Sequence, residues 1–320
     1  MEAARIVAGE LPDFPHLAEL PGRGPGADIT GRAAALLVDI PAEVTPSGWR
    51  ITERPGRDLR RAKSMLSSDL DAMEEVLDGY SGLLKVQICG PWTLAATVEQ
   101  PRSLNAALAD PGLVADLAAS LAEGAAAHVG EVAKRVPGAT LVVQFDEPAL
   151  PAVAEGSVPT ASGLSRVRVV EEEVLRDRLH EVLAATGRYT IVHCCGRDCP
   201  FGMITGAGAD AVSFDLRQLR RDDYDTIAAV AEEGAGLLAG AISADYPERR
   251  GVTPTDIARA VAEAWRKMGL PPAQCAQQVV VTPACGLAGA SPEQARQALR
   301  WCREAARILP EMMGEQALWS

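Results

Sequence analysis

The sequence predicts an α/β fold, a (β/α)8 TIM-type barrel with an incomplete or atypical first strand, and three observations carry that expectation. Short runs of β-forming residues alternate at regular spacing with amphipathic, alanine-rich stretches, the pattern of a parallel sheet. Three of the runs hold almost no polar residue until their C-terminal ends, as strands buried on both faces do. The groups that handle protons or metals fall where the runs stop, at five separate strand ends. A closed barrel spreads such groups around one rim, whereas an open sheet concentrates them at a switch point.

The elements follow in order. Residues 1–45 read as an irregular N-terminal segment, with the Gly/Pro-rich LPGRGPGAD (20–28) as a loop, and WRITE (49–53) is a candidate seventh strand. LLKVQICGP (83–91) leads into WTLAATVEQ, and a helical stretch over 110–136 precedes ATLVVQFDEP (139–148). A second helical stretch, 168–186, precedes RYTIVHCC (188–195). ADAVSFD (209–215) is followed by a helix around 222–234, and GLLAGAIS (236–243) by one over 254–269. QQVVVTPACG (277–286) precedes a helix that starts near Ser291, with Pro292 at its first position and Glu293 in its first turn. No linker or low-complexity segment divides the chain, so residues 1–320 are expected to form one catalytic domain.

Composition narrows the function. A net charge of −12 argues against a nucleic-acid or anionic-membrane surface. No run of 18 or more apolar residues is present, and MEAARIVAGELPDFPH lacks a secretory pattern, so the expected location is cytoplasmic. Seven cysteines, three of them within residues 194–199, favour metal binding or catalysis over a disulfide framework.

The stretch IVHCCGRDCP (191–200) holds the densest chemistry. On a strand, residues i and i+2 share a face, so His193 and Cys195 point together and Cys194 points away. An imidazole and a thiolate are ligands zinc prefers, and Cys285 at the end of the last strand would close the site from across the barrel. Three N/S ligands with an open fourth position form a catalytic rather than a structural zinc pattern. Two other readings stand beside it: a local zinc knuckle of Cys194, Cys195 and Cys199, and a switchable disulfide, Cys195–Cys199 or Cys194–Cys199. Cys89, Cys275 and Cys302 read as small buried hydrophobes, and His16, His128 and His180 as structural or exposed. Trp92, beside a strand end, either stacks on a flat donor or packs.

These motifs together, VHCC, ADAVSFD, TPACGL, QFDEPAL (144–150) and GPWT (90–93), resemble the C-terminal catalytic barrel of the cobalamin-independent methionine synthase family, over about residues 84–300. The resemblance implies zinc as cofactor, with ligands His193, Cys195 and Cys285, and Asp215 where the family has a glutamate. It implies that Asp146 receives the amino group of homocysteine, and that Glu147 lines the pocket or braces the turn. Ser243 and Asp245 stand at the family's aspartate and proton-transferring histidine, which makes Ser243 a substrate-binding and Asp245 a catalytic candidate. The implied activity is methylation of homocysteine to methionine through a zinc-bound thiolate. The alternative is a catalytically degenerate barrel that holds zinc or a thiol without turnover.

The departures from the family pattern fall on the donor side or on the first strand. CGLKTR becomes CGLAGA, and the resemblance finds no expected counterpart here for the family's GSFP-like first-strand loop or its large N-terminal domain, so that either the start is truncated or the barrel closes another way. The expected donor is therefore not folate triglutamate. Methylcobalamin on a corrinoid carrier protein, used by shortened relatives, is the expected substitute partner.

Overall fold

Six parallel strands lie side by side in chain order in the computed structural model, which describes residues 1–243 and 252–317. The chain first forms α1 (Glu2–Glu10), α2 (Ile29–Leu36) and an antiparallel hairpin of β1 (Ala42–Thr45) and β2 (Gly48–Ile51). After α3 (Arg57–Val76) come β3 (Gly82–Cys89), α4 (Pro91–Thr97), α5 (Pro111–Arg135) and β4 (Ala139–Asp146). Next are α6 (Leu150–Ala154), α7 (Glu172–Ala185), β5 (Tyr189–His193), α8 (Phe201–Gly206) and β6 (Ala211–Asp215). The chain continues through α9 (Asp223–Glu232), β7 (Gly236–Ile242), α10 (Pro254–Lys267), α11 (Pro272–Gln278), β8 (Val279–Pro283) and α12 (Pro292–Ala317).

Local sequence explains the helix starts. Asp110 caps α5 by accepting from the Gly112 and Leu113 amides, with Pro111 at the first helical position. Thr253 and Asp256 form a reciprocal capping box on α10. The strands obey the two-residue period. Val142, Ile191, Ala211 and Leu238 form an apolar cluster on one face, with Phe14 packed against it. Val143, Phe145, Val192, Val212, Phe214 and Leu237 join the main core with the helices. The first face turns polar toward the C-terminal strand ends, where Gln144, Asp146, His193 and Ser213 follow in the same parity.

Three expectations are corrected. Among the described residues the sheet has six strands rather than eight, and no ladder joins β8 back to β3. The sheet is nonetheless curled into an open half-barrel. In a flat sheet β5 and β8 would lie three spacings apart, about 14 Å, yet the Cys195 and Cys285 sulfurs beyond their ends approach to 3.6 Å. The WRITE segment does contain a strand, β2, but it forms a ladder with β1 alone and meets Glu99 through one isolated parallel bridge at Arg50, outside the six-stranded sheet, because the β1–β2 turn is short enough to fold the chain back on itself. Residues 1–45 are not irregular, since they hold two α-helices, two 3-10 turns and β1.

The same segment supplies an atypical strand next to β3. Leu17 N–H donates to the Lys85 carbonyl and Lys85 N–H to the Pro15 carbonyl, both at 2.9 Å, in a single parallel bridge. Pro15 has no N–H to extend the ladder.

Candidate metal centre

The site is built from two strand ends. β5 stops at His193, whose ladder partner on β6 is Ser213. The Ser213 hydroxyl lies 2.8 Å from His193 Nδ1, which fixes the ring and leaves Nε2 as the nitrogen available to a ligand. Cys194 N–H donates to the Ser213 carbonyl at 2.8 Å, and the Cys194 side chain is fully buried in the core. Cys195 therefore returns to the face of His193. On the far side, the turn after β8 is anchored by Ala284 N–H to the Ile242 carbonyl at 2.7 Å, and Cys285 follows it. Gly240 on β7 admits that turn: a Cβ there would sit 2.5 Å from the Phe214 carbonyl oxygen and 2.7 Å from Ala284 Cα.

The result is one group of ligand atoms from His193, Cys195 and Cys285, all within 4.8 Å of one another. Two sulfurs on a tetrahedral zinc, each at about 2.3 Å, stand about 3.8 Å apart; the observed separation is 3.6 Å. The donor set and its spacing thus fit zinc, with a fourth position left over. His193 is buried, Cys195 half-buried and Cys285 exposed, so the group opens to solvent on its sulfur side. Hydrogen bonds from Cys195 and His193 hold the Cys285 thiol down at about 4, while donating that bond pushes Cys195 well up. The knuckle of Cys194, Cys195 and Cys199 does not form, because Cys194 points into the core, and all seven cysteines are free thiols.

Asp215 is not brought into this group. Its carboxylate, 5% exposed, is taken by Arg217 two residues on: Nε and the backbone N–H reach Oδ1 at 3.0 and 2.9 Å, and Nη2 reaches Oδ2 at 2.8 Å. The aspartate is short and lies beside a guanidinium whose fork matches it. Arg217 Nη1 also donates to Ser243 Oγ at 2.7 Å, which ties the ends of β6 and β7. Asp245 lies outside the described residues.

Asp146 ends β4 as the ladder partner of His193. Its Oδ1 accepts from Gln144 Nε2 at 2.7 Å; burial pushes the carboxyl up, and His193, Gln144 and Lys85 pull it back. Glu147 turns the other way and is fully buried. It accepts from the Trp92 amide at 2.9 Å and from the Thr93 amide and hydroxyl at 2.7 Å each, filling the open N-terminus of α4. Burial pushes its carboxyl up to about 7. Its own N–H donates to the His193 carbonyl at 2.7 Å, so it braces β5 as well. Gly90 is required there, since a Cβ would collide with the Glu147 carboxyl group. Trp92 does not reach the rim: it is wholly buried with Nε1 bonded to the Leu175 carbonyl. The site expectation for Trp92 gives way to a packing role.

Glu19 lies just beyond the bridge at residues 15–17. Arg32 Nε lies 3.1 Å from its Oε1, and its charge is felt by both Asp146 and Lys85. Burial pushes its carboxyl up to about 7. A one-bridge strand leaves no β-rich run to read, so no sequence signal marked it. His180 bonds the Ala207 carbonyl and His128 is buried on α5, both away from the ligand group.

Fold and site together define an α/β half-barrel enzyme with an imidazole and two thiols converging at the carboxyl ends of its strands. Residues 83–308 match the family described as "Cobalamin-independent synthase, Catalytic domain", and the chain belongs to that family of methyltransferases. The fold is similar to the solved structure of a B12-independent methionine synthase from Shewanella sp. W3-18-1 in complex with selenomethionine. The TM-score is 0.54 at 15% identity, over 83% of this chain and 71% of that one. No curated protein matches the sequence significantly. No helix among the described residues is long and apolar enough to cross a membrane.

Proposed function

We propose that this chain is a zinc-dependent methyltransferase that methylates the thiol of homocysteine, with a methyl donor other than folate triglutamate. The observation that carries the proposal is the convergence of His193, Cys195 and Cys285 at a spacing suited to one tetrahedral zinc. Bound there, zinc would strip the proton from a substrate thiol, whose pKa near 8.5 otherwise leaves it a weak nucleophile at neutral pH. The protein's own groups do the rest. Ser213 fixes the His193 ring. Asp146, with Glu19 close enough to feel its charge, offers anionic density for the substrate ammonium. Glu147 holds the α4 and β5 ends in place. Asp245 is the candidate for proton handling on the donor side.

In the reaction a carbon–sulfur bond forms as the bond from the methyl carbon to its carrier breaks, and the thiol proton is released. The replacement of the two cationic residues of CGLKTR by CGLAGA supports a donor without a polyglutamate tail, and methylcobalamin on a corrinoid carrier protein fits. The test is methionine formation from homocysteine by the zinc-loaded chain, with methylcobalamin and methyltetrahydrofolate triglutamate compared as donors. Methionine from methylcobalamin supports the reading. Methionine from the folate alone overturns the donor assignment, and none from either overturns the activity.

A further inference from the structure

We propose that Lys85 is a positioning residue that acts on the substrate ammonium through Gln144 and Asp146. The inference rests on homocysteine as the acceptor. The β3–β4 register pairs Lys85 with Val142, Gln87 with Gln144 and Cys89 with Asp146. Gln144 and Asp146 therefore share a face, with Lys85 one step behind them. The contacts form a continuous line: Lys85 Nζ donates to Gln144 Oε1 at 2.7 Å, and Gln144 Nε2 donates to Asp146 Oδ1 at 2.7 Å.

The chemistry of the three groups allows that line only one polarity. An ammonium can only donate, so it compels the Gln144 carbonyl to face it. The amide NH2 must then face Asp146. A flipped amide would set NH2 against ammonium and oxygen against carboxylate, two repulsions in a side chain that is nine-tenths buried. Lys85 thus decides which end of Gln144 meets Asp146 and, through it, the direction in which the carboxylate is held. Among the described residues Lys85 makes no direct ion pair with Asp146. The amide spacer matters for this reason: a cation seated on Asp146 would compete with the substrate ammonium for the same oxygens. Separated by Gln144, the lysine orients the carboxylate and leaves Oδ2 to the ligand. The Lys85 backbone carries the bridge to Pro15 and Leu17, which a side-chain substitution does not touch.

The test compares two thiols on the full chain by titration calorimetry. One is homocysteine; the other is 4-mercaptobutanoate, which has the same thiol and carboxylate but no amino group. The variants are Lys85→Met, Gln144→Met and the double substitution, each with its zinc content recorded. Wild type is expected to prefer homocysteine. Each single variant should weaken homocysteine about tenfold to hundredfold, leave 4-mercaptobutanoate within about twofold, and keep its zinc. The double variant should do no worse than the more severe single, since both break one line. Equal losses for the two thiols, or additive losses in the double variant, would overturn the inference and leave the homocysteine reading standing. A wild type that binds the two thiols alike would remove both. If Lys85→Met does not fold, Gln144→Met must show the selective loss by itself, or the inference fails.

Discussion

Alanine at Gly240 should dislodge Cys285. The new Cβ would lie 2.5 Å from the Phe214 carbonyl oxygen and 2.7 Å from Ala284 Cα, and both neighbours are backbone. Ordinary contact begins at about 3.4 Å, so the turn after β8 must withdraw by about 0.7 Å from its present place. Ala284 is the residue before Cys285. A shift of that size carries the Cys195–Cys285 sulfur separation from 3.6 Å to about 4.3 Å, beyond the spacing of about 3.8 Å that a tetrahedral zinc accepts within a few tenths of an ångström. Overpacking of this kind costs about 1–3 kcal/mol. With about 2.1 cal/mol/K of unfolding entropy per residue over 320 residues, that is a fall in Tm of roughly 1.5–4.5 °C. Zinc affinity, read by competition with a chromophoric chelator, should fall about tenfold or more. A Gly240→Ala chain with wild-type zinc affinity and wild-type Tm would refute the view that this close approach delivers Cys285 to the site.

Glu147→Gln should set a buried NH2 against the Trp92 amide, costing about 2–3 kcal/mol; thermal unfolding checks this, and an unchanged Tm refutes it. Asp215→Asn should break the fork with Arg217 while full zinc content is retained; loss of zinc would make Asp215 a ligand after all. Desolvation first, then Arg32, holds the His128 imidazole down at about 4. A base held below its unfolded value of 6.5 stabilises the fold above that pH and ceases to as pH falls through about 4. His128→Gln should therefore flatten the fall of unfolding free energy between pH 6.5 and 4 by up to roughly 1.4 kcal/mol per pH unit. Equal slopes for variant and wild type would count against it.

The parts legible in the sequence were those governed by short periods. Strand parity put His193 and Cys195 on one side and Cys194 on the other, and Cys194 is indeed in the core. The six parallel strands were legible because β-rich runs alternate with helical ones at each step. What was missed depends on contacts between distant residues, or on a side chain choosing a nearer partner. In the sequence Asp215 looks like a ligand because its position is visible and Arg217's reach is not. Trp92 sits where a stacking residue would, but the Leu175 carbonyl claims its indole N–H across 83 positions of sequence. The strand at residues 15–17 has one bridge and a proline, too little pattern to mark it or Glu19 beyond it.

The most direct test of the account is zinc content by elemental analysis on metal-washed protein, for wild type and Cys285→Ala. The account predicts one tightly held zinc per wild-type chain, lost or much weakened in the variant. Full zinc in the variant would mean that residues 191–200 bind the metal without β8, and no zinc in wild type would leave the half-barrel without the centre proposed for it.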